Sequence, residues 1–241
     1  MRVPLALTGL TVFFVIAFAA AFTRPASTQA HTDAIPVFAT ADPNVTAKVI
    51  PDIARGRLAR DDRERRAVIA VRGLLIPIDG ATLPEDPELL PNAARDYRGG
   101  WHEGIDFPAR AGTPVRAVAA GIVVRVDHEF VDWDRATLEA ALDGAVRIGY
   151  TPAATLDRTR GRQVWIDHGR GVVTRYAHLS AVADIAVGDA VEAGQVIGAV
   201  GSSGYPEGGP HLHLEIRIGP DYLGDGLEGD ALRAAISAAF D

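Results

Sequence analysis

The chain has 241 residues, 48% of them apolar, which is enough for one sizeable hydrophobic core or two small ones and excludes a disordered chain and a multi-span membrane protein. It contains no cysteine, so disulfide scaffolds, thiol nucleophiles, thiolate metal ligands and a lipid-anchored N-terminal cysteine are excluded, and any metal must be held by His, Asp or Glu. The formal net charge of −7 argues against a nucleic-acid partner, and with Lys48 as the only lysine, amine chemistry has almost no candidate.

Met1-Arg2 is a short basic start, followed by the uncharged apolar run Leu5 to Phe22. This pattern predicts an N-terminal hydrophobic helix that exports the chain, within residues 1–30. It is either a signal peptide cleaved near Thr28-Gln29-Ala30 or a retained membrane anchor over residues 5–22. Both place the remainder outside the cytoplasm, in the periplasm, the cell envelope or the medium. From His31 to about Ile50 the sequence is aperiodic and reads as a linker. Pro51 to Ala67, with the mixed-sign run Arg60 to Arg66, reads as a short solvated helix, so that residues 31–67 connect the export segment to a domain over 68–241.

The domain opens at Val68-Ile69-Ala70-Val71. Strand-length runs rich in Val and Ile then follow between turn residues: Val115–Val118, Ile122–Val126, Gln163–Ile166, Val172–Tyr176, Val196–Val200 and Leu212–Ile218. The expected fold is mainly β, an antiparallel β-sandwich or open barrel. A helical insertion breaks the series over about 127–162. Within it Trp133 to Leu142 has helical spacing, with Asp132 as N-cap and Gly144 as stop.

Three of the seven histidines fall in two short constellations, His102 in the first and His211 and His213 in the second. His102-Glu103-Gly104-Ile105-Asp106 is unsuited to a helix because of Gly104 and Pro108, and in an extended segment His102 and Asp106 share one face while Ile105 and Phe107 point to the core. In His211-Leu212-His213-Leu214 the same period of two puts both imidazoles on one face and both leucines on the other. Together the two segments supply a His, Asp, His set that suits one zinc ion with an open fourth position, the pattern of a catalytic rather than a structural metal.

His102-x-Gly104-x-Asp106-Phe107, Tyr176-Ala177-His178-Leu179-Ser180, the glycine-rich run Gly188 to Gly204, and Gly209-Pro210-His211-Leu212-His213-Leu214-Glu215 follow one another in order over residues 98–218. This resembles the lysostaphin-type (LytM-like) zinc metallopeptidases that cut peptidoglycan cross-links. The resemblance implies a β-sandwich with an open groove, a Zn2+ ion held by His102, Asp106 and His213, and His178 and His211 as the two catalytic histidines. It further implies a zinc-dependent endopeptidase that hydrolyses peptidoglycan peptide stems with a water activated by the metal. A monomer is expected. A catalytically silent relative that activates another peptidoglycan hydrolase is the alternative. A biotin- or lipoate-carrier reading of the glycine pattern fails for want of a lysine in the domain.

Several residues around these motifs carry further expectations. Glu215 shares a strand face with His213 but is expected as a solvated strand residue rather than as its hydrogen-bond partner. Tyr176 is placed on the same strand face as His178, to shape the groove or to pack beside it. His128 and His168 are expected to be structural or exposed. The insertion is longer than the family usually has, and it either narrows the groove, recruits a partner or is a surface elaboration. Asn92 to Gly100 replaces the Ser-x-Phe-Gly-x-Arg stretch that often precedes the first motif, and Asn44 or Asn92 is available to cap the zinc.

Overall fold

A computed structural model of the chain describes residues 48–50 and 68–241. The apolar run 5–22, Asn44 and the charged segment 51–67 lie outside the described residues. Within the stretch expected as linker, Lys48–Ile50 is instead a strand (β1), paired antiparallel with Val68–Ala70 (β2).

Two short strands, Ala94–Arg95 (β3) and Gly100–Trp101 (β4), form a hairpin ahead of Ile105–Pro108 (β5), Pro114–Arg116 (β6) and Gly121–Val126 (β7). Two helices follow, Arg135–Ile148 (α1) and Ala153–Arg160 (α2). The chain then returns to strands at Val164–Asp167 (β8), Val172–Ala177 (β9), Leu179–Val182 (β10), Ala190–Val191 (β11), Val196–Val200 (β12), His211–Ile218 (β13) and Asp221–Tyr222 (β14). It closes with Gly229–Ala239 (α3).

The fold is mainly β, and every described strand pairing is antiparallel. The larger sheet runs β11-β7-β8-β9-β13-β14, with β5 also paired to β13; the smaller runs β10-β12-β6. Val and Ile side chains of both sheets meet in one hydrophobic cluster that includes Val115, Val164, Ile166, Ile197 and Leu212. Period-two alternation on half-buried strands produces this, since alternate residues reach the core and the rest do not. The register of β13 sets the site. His213 stands opposite Asp106 of β5 on one side and opposite Ala177 of β9, the residue before His178, on the other.

The expected helix over 133–142 is displaced and longer. Asp134 caps it, its side chain accepting from Thr137 N–H at 3.0 Å, and the helix runs through Gly144 to a left-handed Gly149. Gly144 does not stop it, because a helical glycine costs only about 1 kcal/mol against alanine. Asp132, expected as the cap, accepts from Gly204 N–H at 2.5 Å instead. The helix α3 was not expected. It buries Leu232, Ile236 and Ala239 along one stripe, and its Ala239 carbonyl accepts from Leu74 N–H at 2.9 Å. Among the described residues no helix is long and apolar enough to cross a membrane.

Candidate metal centre

β5 delivers Asp106, β13 delivers His211 and His213, and His102 comes from the short segment between β4 and β5. Ile105 and Phe107 are buried in the core, as alternation requires, which turns Asp106 to the other side. Leu212 and Leu214 do the same for His211 and His213. The extended segment expected over 102–106 begins only at Ile105, and His102 is instead held by main-chain bonds to Asn92 and Ala93 and by its ring's bond to the Leu90 carbonyl. The result is a triangle of donors. His102 Nε2 lies 3.0 Å from Asp106 Oδ1 and 3.0 Å from His213 Nδ1, and His213 Nδ1 lies 2.8 Å from Asp106 Oδ1. His102, Asp106 and His213 form a buried group able to hold a metal ion.

The outer hydrogen bonds decide which nitrogens carry protons. The Leu90 carbonyl can only accept, so His102 donates to it from Nδ1 at 2.8 Å and presents a bare Nε2. Likewise His213 donates from Nε2 to the Glu215 carboxylate at 3.2 Å, so Nδ1 is the nitrogen that faces the triangle and the one left bare when the ring is neutral. Two lone pairs and a carboxylate oxygen within about 3 Å of one another repel unless a positive charge lies among them. The donor set therefore fits a cation, and an N2O set suits zinc.

The titration of these groups follows from the same crowding. Burial opposes charge on His213, but hydrogen bonds to Asp106 and Glu215 outweigh it and push the imidazole up to about 9. Burial alone would raise the Asp106 and Glu215 carboxyls; for Asp106 the neighbouring His102 and His213, and for Glu215 the guanidinium of Arg160 with His213 and Arg217, hold them well below the usual carboxylate range. His102 is lowered by burial, with Asp106 pulling the other way.

His178 and His211 stand beside the triangle, their rings 4.6 Å apart, and His178 is 5.8 Å from His213. His178 lies between β9 and β10 with φ +59°, so strand alternation breaks there. This corrects the shared face expected for Tyr176. That tyrosine is fully buried, its hydroxyl accepting from Val118 N–H at 2.8 Å, and it takes no part in the groove. His178 donates from Nδ1 to the Ser203 carbonyl at 2.8 Å, and His211 from Nδ1 to the Gly209 carbonyl at 2.9 Å. On each ring Nε2 is then the bare nitrogen. Burial, with His211 and His213 nearby, pushes His178 down to about 3, so it is neutral at ordinary pH.

Around the site, Arg95, Arg160, Tyr97 and Tyr205 are additions to the residues the sequence singles out. Glu215, expected to be solvated, is fully buried and bonded to His213, with Arg160, Arg175 and Arg217 around it at 2.5, 3.3 and 3.6 Å. Arg95 donates to the second Asp106 oxygen at 3.3 Å. Tyr97 and Tyr205 stack with ring centroids 4.9 Å apart at the groove edge. Asn92 does not cap the site: its amide donates to the Gly224 and Leu227 carbonyls at 2.7 and 2.9 Å. His168 and His128 are structural, bonded to Ala120 and Thr174 and to Ile185. The groove over the donor triangle has a volume of about 280 Å³, and Leu156, Thr159 and Arg160 of α2 line it, so the insertion forms part of its wall.

Residues 131–225 match the profile of peptidase family M23, a span that includes His178, His211 and His213. The DD-carboxypeptidase/endopeptidase Mpg of Neisseria meningitidis is 40% identical over 117 residues, 48% of this chain and 20% of that protein. Lysostaphin of Staphylococcus simulans is 33% identical over 118 residues, 48% of this chain and 18% of that protein. The chain thus spans about a fifth of the length of these curated relatives. Among solved structures, the lysostaphin catalytic domain from S. simulans is 29% identical, covering 48% of this chain and 68% of that one with a TM-score of 0.34.

Proposed function

Since the chain carries a peptidase family M23 domain, we propose that it is a zinc-dependent endopeptidase acting on peptide cross-links of bacterial peptidoglycan. His102, Asp106 and His213 would hold one zinc ion, and His178 and His211 are the catalytic histidines. The observation that carries this reading is the donor triangle of about 3 Å, in which both imidazoles turn one nitrogen inward because their other nitrogens are bonded outward. When bound, zinc supplies Lewis acidity that polarises a peptide carbonyl and makes a water molecule acidic. The chain's own groups do the rest. His178 and His211 each keep a bare Nε2 on a ring lining the groove, so each can accept a proton from the attacking water. Once protonated, the same nitrogen becomes a donor to the oxyanion that develops on the substrate, and later to the leaving amine. The Ser203 and Gly209 carbonyls keep the two rings from turning while this happens. The Leu5–Phe22 run supports a site of action outside the cytoplasm.

The test is zymography against purified sacculi with and without a chelator, followed by mass spectrometry of the released muropeptides. Clearing that is lost in chelator and restored by zinc, with new peptide termini, is expected. Clearing that persists in chelator, or no clearing by a zinc-loaded chain, overturns the reading; the second outcome points to the silent activator.

A further inference from the structure

Resting on the metal-site reading above, we propose that the turn ending α2, residues 160–162, is a positioning device for the metal centre, with Arg160 setting the His213 imidazole through Glu215. The guanidinium of Arg160 is buried and forked between two carboxylates. Its Nε donates to Glu215 Oε1 at 2.5 Å and its Nη2 to Glu103 Oε2 at 2.5 Å. Glu103 adjoins the donor His102, and Glu215 lies two residues past the donor His213, so one side chain ties both segments together from behind. The same Glu215 oxygen that accepts from Arg160 also accepts from His213 Nε2 at 3.2 Å. Arg175 and Arg217 approach the other oxygen, Oε2. Without Arg160, Oε1 loses its charged donor, and the carboxylate is free to rotate toward Arg175 and Arg217. A planar guanidinium with donors in fixed directions can hold two carboxylates at once, which a point charge does not.

The backbone of this turn reaches the other histidine as well. The Arg160 carbonyl accepts from His178 N–H at 2.8 Å, and the Arg162 carbonyl from Leu179 N–H at 3.1 Å. Arg162 N–H donates to Ser203 Oγ at 2.9 Å, in the residue whose carbonyl accepts from the His178 ring. The insertion therefore does more than wall the groove: its last turn bears on His213 through a side chain and on His178 through the main chain.

Zinc affinity of the full chain, measured by competition with a chromophoric chelator, tests this together with the visible spectrum of the Co2+-loaded protein. Arg160→Ala is expected to weaken zinc binding about 10- to 100-fold, the usual effect of losing a group that orients a ligand, and to shift the cobalt bands. Arg160→Lys should recover only part of both, because it cannot bridge Glu103 and Glu215. In a Glu215→Gln background Arg160→Ala should add less than about twofold, since residues acting as one unit are not additive. If Arg160→Ala fails to fold, Arg160→Lys alone carries the test, with several-fold weaker binding and a shifted spectrum expected. Wild-type affinity and spectrum in these variants, or full additivity with Glu215→Gln, overturns the positioning role alone. No zinc uptake by the wild-type chain overturns the reading of the site and this inference with it.

Discussion

The ring of His178 is tied to the Ser203 carbonyl, Nδ1 to oxygen at 2.8 Å, and the space behind that carbonyl is filled by the backbone of Gly161. A Cβ on Gly161 would lie 2.2 Å from the Ser203 oxygen, and Gly161 has φ +71°. Glycine is required on both counts. Gly161→Ala therefore displaces either its own turn or the carbonyl that aims His178. Displacements near 1 Å at such a group cost about 10²-fold in rate, so activity should fall by that order while zinc content stays near one per chain. Unchanged turnover in a folded Gly161→Ala variant would show that the Ser203 contact does not aim the ring.

Exchange of the histidines separates metal retention from chemistry. His178 touches none of the donors by hydrogen bond, whereas His213 Nδ1 contacts both His102 and Asp106. In His178→Ala we expect zinc content to persist and activity to fall by about 10²–10³-fold, the typical loss on removing one oxyanion donor. In His213→Ala the metal should be lost outright. Equal zinc loss in the two variants, read by elemental analysis after dialysis, would mean that the roles are wrongly divided.

Much of this site was legible because strands impose a period of two. Leu212 and Leu214 announce which way His211 and His213 point, and Ile105 and Phe107 do the same for Asp106, whereas His102 precedes the strand and its direction depends on contacts with Leu90, Asn92 and Ala93. The direction of His178 was not legible. A left-handed residue at the junction of β9 and β10 cancels the alternation, and nothing in Tyr176-Ala177-His178 signals it. Glu215 reads as solvated because an isolated carboxylate is costly to bury. Its burial depends on Arg160 from 55 residues away and on Arg175 from the neighbouring strand, partners that only the fold brings together. The helix α3 was legible in principle, since Leu232, Ile236 and Ala239 recur at helical spacing within the alanine-rich stretch Gly229–Ala239.

The Tyr97–Tyr205 stack joins the turn after β3 to the loop before β13 at the rim of the groove, in a stretch where the expected family sequence is replaced. Stacked aromatic pairs contribute about 0.5–1.5 kcal/mol beyond their buried area. Neither ring belongs to the donor set or to the catalytic pair. Tyr205→Ala should therefore change KM for a soluble cross-linked muropeptide several-fold and leave kcat within about twofold, since it alters the shape of the rim and not the reacting groups. A matched fall in kcat with KM unchanged would place Tyr205 in the chemistry instead.

Stability should fall with rising pH in the metal-free protein and hold level in the zinc-loaded protein. Without metal, a proton on His213 supplies the positive charge that Asp106 and Glu215 attract, which raises the folded imidazole to about 9. The unfolded value is about 6.5. A group raised on folding contributes stability that is fully present below the unfolded value and is lost as pH climbs through the folded one. The melting temperature in chelator should accordingly drop between pH 6.5 and about 9. On the proposed ligation zinc takes the place of that proton, and binding improves as protons leave the donors. The gap in melting temperature between zinc-loaded and chelated protein should then widen across the same window, and His213→Gln should abolish the drop seen in chelator. Parallel melting curves with and without zinc from pH 6.5 to 9 would show that the metal is not held at His213 Nδ1.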